Sequence, residues 1–385
     1  MAFARSILQG VTYYDPSKAY NGYTLFAPFG EYDAWLIDME GRIVHHWRLA
    51  YKPGMFARLL PNGHLLYGGS LPGNRVGPDL GVTFYGVLCE VDWDGDLIWK
   101  HEDPYINHDF WRLDNGNTIA VAYEKVPDEI KVKVKGGLPE KSDDYVMWGD
   151  KLMEITPDNE VVWEWHAYEH LDPEEDTICP CDKREEWTHM NTCTVLPDGN
   201  ILISIRNTDT IAIVEKSTGN IIWKWGRGEI SHQHEPTMLP NGNILLFDNG
   251  SHRQGLPPYS RVIEVNPKTN KIEWEYKDDP PTEFFSSLMS GCQRLPNGNT
   301  LITETEWGRI FEVTREGEIV WEYVCPIHGT YLWRSHDNLI YRSYRYGPDY
   351  PAFKGKDLDP ARYEWLNGVY GPEAFKNLYK SLKLD

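Results

Sequence analysis

Histidines recur at one level of a repeated pattern in this chain. The pattern contains a tight turn of the form LPNG, and the residue eight places before its glycine begins a predicted strand. In five successive copies that residue is Met55, His108, Asn191, His234 and Ser290. His189 lies two places before Asn191, and His328 lies beside the corresponding position of a degraded sixth copy.

Imidazole groups gathered at one level can act as acid and base near neutral pH, as a nucleophile, or as metal ligands. We therefore predict that His108, His189 and His234 are catalytic. If a transition metal or zinc is bound, its predicted ligands are His108, His189, His234 and His328.

Polar side chains accompany these histidines. The string FDNGSHR follows the His234 strand, and ISIRN puts Arg206 at the corresponding place one repeat earlier. Guanidinium groups beside histidines suit an anionic substrate group such as sulfate, phosphate or carboxylate. Alternatively, Arg206 and Arg253 pair with neighbouring carboxylates. We predict Arg253 as a fourth catalytic residue, and the predicted substrate-binding residues are Asn191, Arg206, Asp248, Asn249, His252 and Ser290.

The cysteines give a weaker signal. Only Cys179 and Cys181 lie close together in the sequence, and no second pair of cysteines completes a zinc site with them. We interpret them as two loop cysteines.

The elements that position these residues follow from a sixfold repeat. Six apolar segments end in tryptophan at spacings of 47 to 64 residues, and a tight turn precedes each one. The tryptophans are Trp47, Trp99, Trp163, Trp223, Trp274 and Trp321. Together with the interleaved LPNG turns they predict four short strands per repeat, which is typical of an all-β fold, the six-bladed β-propeller. We expect the tryptophans to pack between blades.

The termini are predicted to meet in one blade. The first repeat lacks its leading strand, and we assign that strand to Thr330–Arg334 near the other end of the chain. The predicted organisation is a propeller over residues 1–350 and a helical extension over 351–385 packed on it, with a helix from Pro372 to about Leu384. Long connections at 124–146, 166–186 and 249–260 are predicted to cover the face that carries the site.

The amino-acid composition argues against two classes of binding partner. The chain has 58 acidic and 38 basic residues, a net charge of −20, which argues against binding to nucleic acid or to an anionic membrane. The first residues contain no apolar core of a secretory signal, so we expect a cytoplasmic protein that acts on a small aromatic or anionic molecule. The oligomeric state is left open.

Three strings resemble sequences of the arylsulfotransferase family of propeller proteins. They are EWTHMNTCTVLPDGNILISIRNT, HQHEPTMLPNGNILLFDNGSHR and GRIFEVTREGEIVWEY. The resemblance runs from YNGYTLFAP through residue 323 and is strongest from Trp187 to Arg261. It implies a six-bladed propeller that moves a sulfuryl group from a phenol ester to another phenol through a transient sulfo-histidine.

The resemblance also implies roles for single residues. His189 and Asn191 resemble the family's first channel histidine motif, His234 the second, and Arg253 the arginine that holds the sulfuryl oxygens. The covalent histidine is expected one blade later, where this sequence has Ser290 and Cys292 but no histidine. The chain is thus similar to a divergent, cytoplasmic branch of the family.

Other functions stay open from the sequence alone. The same histidines could serve a lyase, a hydratase or a hydrolase acting on an aromatic or anionic substrate, with or without a metal. A non-catalytic propeller that presents loops to a protein partner is the third alternative.

Overall fold

A computed structural model describes residues 8–78, 86–140, 144–254, 257–331 and 334–376 of the chain. Their strands form six four-stranded sheets, one of which carries a fifth strand. This confirms the predicted six-bladed β-propeller, with mainly antiparallel strand pairs.

The blades are numbered along the chain. Blade 1 contains Ile340–Tyr346, Tyr23–Pro28, Asp33–Ile37 and Ile43–Arg48, in this order across the sheet. Blade 2 contains Pro53–Leu59, Leu65–Ser70, Gly86–Val91 and Leu97–Glu102. Blade 3 contains Ile106–Arg112, Thr118–Lys125, Trp148–Ile155 and Val161–His166. Blade 4 contains Met190–Val195, Ile201–Ile205, Thr210–Val214 and Ile221–Trp225. Blade 5 contains His234–Met238, Ile244–Asp248, Arg261–Asn266 and Lys271–Tyr276. Blade 6 contains Gly291–Arg294, Thr300–Glu304, Arg309–Val313 and Ile319–Val324, with Gly10–Tyr14 as its fifth strand.

The turns predicted between the strands adopt the expected backbone. The last residue of every turn that precedes a tryptophan segment has a positive φ, from 57° at Asn270 to 93° at Gly95. The glycines of the LPNG turns have φ values between 83° at Gly242 and 92° at Gly298. Glycine and asparagine tolerate this region at low cost, which explains why the repeat keeps them there.

The chain divides into two compact units. The first comprises Met1–Gly69, Leu88–Lys100 and Met289–Asp385, and it holds blades 1 and 6 and most of blade 2. The second comprises Ser70–Val87 and His101–Leu288, and it holds blades 3, 4 and 5.

In the first unit, N- and C-terminal strands pair within blade 1, as predicted, because Tyr23–Pro28 lies antiparallel to Ile340–Tyr346. The assignment of the closing strand to Thr330–Arg334 is wrong. Gly329–Tyr331 and Arg334–Asp337 instead form a small two-stranded sheet. The closing strand contains two buried arginines, Arg342 and Arg345. Because charged residues are unusual in an inner strand, the sequence pattern did not indicate one here.

The C-terminal segment lies against blade 1. It contains short 3-10 turns and an α-helix, and residues 372–376 are again helical. These elements are Pro351–Phe353, Pro360–Tyr363 and the α-helix Glu364–Tyr370. The Asn367 side chain donates a hydrogen bond to the Ile43 carbonyl oxygen and accepts one from the Ile43 N–H, at 3.0 and 2.7 Å. A helix begins at Pro372 as predicted, and the continuation to Leu384 lies outside the described residues.

In the second unit, the two predicted insertions pair with each other. Gly136–Leu138 of the first insertion lies parallel to Ile178–Lys183 of the second. Short helices flank this pair at Asp128–Lys131 and Ala167–His170. In the described parts of the chain, further 3-10 turns lie at Arg206–Thr208, Pro281–Glu283 and Thr305–Trp307.

Tryptophans near the ends of the blades join neighbouring blades within each unit. The indole N–H of Trp47 donates to the Asp92 carbonyl oxygen at 3.2 Å, and that of Trp321 donates to Met39 at 2.8 Å. In the second unit Trp165 donates to Gly219 at 2.8 Å, and Trp223 contacts the Asn270 side chain. A buried indole needs such a partner for its N–H, so these contacts fix the blades as well as fill space.

Apolar side chains between blades form the core. One cluster lies between blades 3 and 4, a second between blades 4 and 5, and a third between blades 6 and 1. Central strands such as Ile201–Ile205 are buried throughout, whereas outer strands such as Ile221–Trp225 alternate between half-buried and exposed residues. Among the described residues, no helix has the length and apolar character needed to cross a membrane.

Candidate functional site

The predicted histidines of the second unit lie where blade strands begin, in strained backbone. His108 and His189 have φ values of 38° and 52°, and His232, which the sequence analysis did not single out, has 58°. Such values cost residues other than glycine about 1–3 kcal/mol and are concentrated at functional sites. The strand pairing also shifts register beside His108 and His234, which marks β-bulges that re-aim side chains.

His234 is held in one tautomer by Asn249. Its Nδ1 lies 2.8 Å from the Asn249 side-chain oxygen, while the Asn249 amide nitrogen donates to the Ser286 carbonyl oxygen at 2.9 Å. The amide oxygen can only accept, so Nδ1 carries the hydrogen and the lone pair of the neutral ring is on Nε2. The ring is 2 % exposed.

His108 is held in the same way by Asn107. Its Nδ1 lies 2.9 Å from the Asn107 side-chain oxygen, and the Asn107 amide nitrogen donates to the Asp150 carboxylate at 3.2 Å. The centroids of the His108 and His189 rings are 4.5 Å apart, so the structure brings these two predicted residues together.

His189 shares a proton with Glu186. The His189 Nδ1 and a Glu186 carboxyl oxygen are 2.7 Å apart. Burial raises the pKa of Glu186 to about 8, against the opposing charge of Arg206. Burial, with a smaller contribution from Arg206, lowers the pKa of His189 to about 3. Because burial disfavours both charges, the contact holds a single proton at neutral pH, and we place it on the carboxyl.

The two predicted arginines have different surroundings. Arg253 donates to the Asp248 carboxylate at 2.7 Å and to the Tyr259 carbonyl oxygen at 3.1 Å, so it is held in a local ion pair. Arg206 donates to the Asn207 side chain at 2.7 Å and lies 3.6 Å from Asp182. Its charge acts on both Glu186 and His189, which makes Arg206 the cation associated with the histidine pair.

Four predicted substrate-binding residues are fully buried and already hydrogen-bonded, namely Asn191, Asp248, Asn249 and Ser290. Asp248 accepts from Arg253, from Arg261 at 2.7 Å and from the Ser231 N–H at 2.9 Å. The Asn191 amide donates to the Gln233 carbonyl oxygen at 2.8 Å.

Ser290 and His328 belong to the first unit. Ser290 donates to the Thr305 hydroxyl at 3.2 Å, and His328 is exposed with its Nδ1 3.0 Å from the Pro326 carbonyl oxygen. A pocket of about 710 Å³ in the same unit is lined by polar residues including Lys18 and Asn297, and none of the predicted site residues lines it.

A second group of residues close to Arg206 was not predicted as a cluster. The side chains of Cys179, Asp182, His232 and His252 offer one ligand atom each, and these atoms all lie within 4.8 Å of one another. From the sequence, only His252 of this group is predicted to be a site residue, and Cys179 is interpreted as a loop cysteine. Cys179 instead lies in the strand Ile178–Lys183. His232, in the string HQH, is the residue from which the sequence could have indicated this group.

Distances within this group are short. The Cys179 sulfur lies 3.2 Å from His252 Nδ1, and a carboxylate oxygen of Asp182 lies 2.9 Å from His232 Nε2. Burial alone would raise the pKa of Asp182, but His232, Arg206 and His252 together lower it to about 2. Burial lowers the pKa of His232 to about 4, so its imidazole is neutral at pH 7 and can act as a metal ligand. None of the four histidines predicted as metal ligands belongs to this group.

Comparison with solved structures finds similar chains at low sequence identity. A protein of unknown function from Bacteroides caccae is 12 % identical with a TM-score of 0.52, and the match covers 84 % of this chain and 98 % of that one. A streptogramin B lyase is 12 % identical with a TM-score of 0.46, covering 83 % and 84 % of the two chains. The virginiamycin B lyase of Staphylococcus aureus is 13 % identical with a TM-score of 0.40, covering 70 % and 69 %.

Function is better indicated by the family comparison. A search of curated proteins finds no match to this chain. Residues 59–325 match the family described as arylsulfotransferase (ASST), which is more than half of the chain and includes blades 3, 4 and 5 with all three predicted catalytic histidines. The chain therefore belongs to the arylsulfotransferase family.

Proposed function

We propose that the protein is an enzyme that transfers a sulfuryl group between phenolic compounds at His108, His189 and His234. The membership of an arylsulfotransferase family supports a transferase in general. The observation that carries the specific proposal is the hydrogen bond from His234 Nδ1 to Asn249, because it puts a hydrogen on Nδ1 of this buried imidazole and directs Nε2 towards attack.

His234 is the proposed nucleophile. Its Nε2 attacks the sulfur of an aryl sulfate, a nitrogen–sulfur bond forms, and the bond between sulfur and the phenolic oxygen breaks. The electron pair of that bond leaves with the phenolate. In the second half of the reaction, the oxygen of an acceptor phenol attacks sulfur and the nitrogen–sulfur bond breaks, which regenerates the imidazole.

His189 and Glu186 are proposed to move the proton. With the carboxyl proton of Glu186 donated to Nδ1, the Nε2 of His189 carries a hydrogen that it can give to the departing phenolate. The acceptor phenol returns a proton to the same nitrogen when its oxygen attacks. His108, whose ring packs beside that of His189, is assigned a supporting role in holding the substrate oxygens.

Arg206 is the proposed cation for the sulfuryl oxygens. Negative charge spreads over these oxygens in the transition state, and a guanidinium in a water-poor site stabilises it. We favour Arg206 over Arg253, the residue predicted from the sequence, because the charge of Arg206 acts on Glu186 and His189, whereas Arg253 is held by Asp248 at 2.7 Å.

The proposal is tested by incubating the protein with p-nitrophenyl sulfate and phenol. We expect nitrophenol and phenyl sulfate to form in equal amounts, with little nitrophenol when phenol is absent. Nitrophenol without phenyl sulfate would indicate hydrolysis instead of transfer. If no aryl sulfate releases its phenol, the proposed reaction is wrong.

A further inference from the structure

We infer that Cys179, Asp182, His232 and His252 bind a divalent transition metal, with zinc as the preferred ion. This inference is independent of the proposed sulfuryl transfer, which uses other residues. It concerns a site that the sequence analysis did not predict.

The four residues come from two distant parts of the chain. Cys179 and Asp182 lie on the strand Ile178–Lys183, which belongs to the insertion between blades 3 and 4. His232 comes just before the first strand of blade 5, and His252 comes just after the second. The fold thus brings two pairs together at one end of blade 5.

The spacing of the ligand atoms fits a small tetrahedral ion. Zinc bonds of about 2.0–2.3 Å place neighbouring ligand atoms about 3.3–3.8 Å apart. Here Cys179 Sγ and His252 Nδ1 are separated by 3.2 Å, and His252 Nδ1 and an Asp182 oxygen by 3.9 Å. All separations in the group are within 4.8 Å, so side-chain adjustments of about 1 Å close the shell.

His232 provides the second and independent observation. Its ring is 0 % exposed, and within the described residues neither ring nitrogen makes a hydrogen bond. Nε2 lies 2.9 Å from Asp182 Oδ2, and that buried oxygen makes no hydrogen bond there either. Burying such groups unsatisfied is unfavourable, and a metal ion bound to Nε2 and Oδ2 would satisfy both atoms.

Backbone contacts hold both histidines in place. The His232 N–H donates to the Asp209 carboxylate at 2.8 Å, and the His252 N–H donates to the Ser231 hydroxyl at 3.2 Å. Positioning of ligands by such surrounding groups is usual at metal sites.

The ligand chemistry selects the class of metal. One thiolate, one carboxylate and two imidazoles neutralise a divalent charge, and this mixture suits zinc or cobalt better than magnesium or calcium, which prefer oxygen ligands alone. The Cys179 thiol must lose its proton to bind. Since burial raises its pKa to about 12, metal binding releases a proton.

Four protein ligands leave no open position on a tetrahedral ion, so the site is structural. It ties the insertion that carries Glu186 to blade 5. Loss of the metal is expected to loosen that insertion while leaving the blades folded.

The experiment uses the full-length protein, stripped with a chelator and titrated with Zn²⁺ and, separately, Co²⁺. We expect one ion per chain, and the visible spectrum of the cobalt form should contain the charge-transfer band of a thiolate ligand. In Cys179→Ser the band should disappear and the affinity for zinc should fall about 100-fold or more.

Cys181→Ser is the matched control, because Cys181 is exposed and only two residues away. It should keep both the band and the affinity. His252→Gln, at a partly exposed side chain, is the second ligand variant, and circular dichroism of each variant checks folding. No binding of either ion by the wild-type protein, or equal affinities in Cys179→Ser and Cys181→Ser, would overturn the inference.

Discussion

His45 in the first unit and His232 in the second are both buried and have opposite surroundings. The Nε2 of His45 lies 2.9 Å from the Trp93 carbonyl oxygen, and its Nδ1 lies 2.9 Å from the Tyr363 hydroxyl. Among the residues that the structure describes, neither ring nitrogen of His232 has a hydrogen-bond partner. Burial lowers the pKa of both, to about 3 and about 4. The burial of a histidine therefore does not distinguish a structural role from a chemical one, whereas the partners of its nitrogens do.

Buried charges repeat this contrast. In the first unit, Arg345 forms a fully buried ion pair with Glu312, and Arg309 pairs with Glu304 at 3.0 Å. In the described part of the second unit, one Glu186 oxygen and one Asp182 oxygen are buried without a hydrogen-bond partner. The arginine pairs hold strands together, whereas the roles proposed for Glu186 and Asp182 are to hold a proton and a metal ion.

The strongest test of this contrast is removal of His234. We expect His234→Ala to lower the rate of sulfuryl transfer about 10³-fold or more, because the nucleophile is lost. The matched control is His101→Ala, since His101 also contacts an asparagine oxygen, at 3.2 Å from Asn159, but at the surface. Comparable rates for the two variants in the p-nitrophenyl sulfate assay would remove the catalytic role of His234.

The second test concerns the first unit. Glu312→Gln should lower the free energy of unfolding by about 3–5 kcal/mol, because the Arg345 charge remains buried without its counterion. The activity of the folded fraction should not change. Glu318→Gln removes a half-exposed ion pair with Lys18 and should leave the urea midpoint close to that of the wild type. Equal urea midpoints for the two variants would contradict this account.

Removal of Asn249 sharpens the comparison within the second unit. Asn249→Ala lets the hydrogen of His234 move to Nε2 and should lower kcat about 10²-fold with a smaller change in KM. Asn159→Ala removes the surface counterpart and should leave both constants unchanged. An unchanged kcat in Asn249→Ala would show that the tautomer of His234 does not limit the reaction.

The pH profile tests the proton shared by His189 and Glu186. Above a pKa of about 8 Glu186 loses its proton, Nδ1 of His189 then holds the hydrogen, and Nε2 can no longer donate. The transfer rate should therefore fall as the pH rises through about 8. Glu186→Gln always donates to Nδ1, so this fall should disappear while the rate at pH 7 stays within about tenfold of the wild-type rate. Persistence of the alkaline fall in the variant would assign it to another group.

The last prediction is a dependence of stability on pH through His45. Its pKa in the folded protein, about 3, is below its unfolded value of about 6.5, so the unfolded state binds the extra proton first. Stability is complete above pH 6.5 and should decrease as the pH falls towards 3, by at most about 1.4 kcal/mol per pH unit. Denaturant titrations of wild type and His45→Gln should differ in this slope, and identical slopes would contradict the assignment.

Much of the fold could be predicted from the sequence because each repeat contains two recognisable segments, the LPNG turn and the segment that ends in tryptophan. The closing strand was misassigned because Ile340–Tyr346 carries two buried arginines, of which Arg345 pairs with the buried Glu312, and single-sequence patterns do not show such a pair. The positions of His108, His189 and His234 followed from counting along the repeat.

The group around Asp182 was not readable. Its ligands meet only because the insertion at 166–186 folds against the end of blade 5, and no periodicity governs that path. The sequence leaves open whether Arg253 pairs with a carboxylate. Its ion pair with Asp248 is seen only in the structure. The repeats therefore allow the histidines on the blades to be predicted. The residues that an insertion brings to a site follow no repeat and are seen only in the structure.

The central claim, that His234 carries the sulfuryl group, is tested most directly by trapping the intermediate. The protein is mixed with p-nitrophenyl sulfate without an acceptor, quenched under alkaline conditions that preserve phosphoramidate-like bonds, and measured as an intact protein and as peptides. We predict a mass increase of one SO₃ group on the peptide that contains His234, which phenol removes and which His234→Ala lacks. A covalent adduct on another residue, or turnover without any adduct, would contradict the claim.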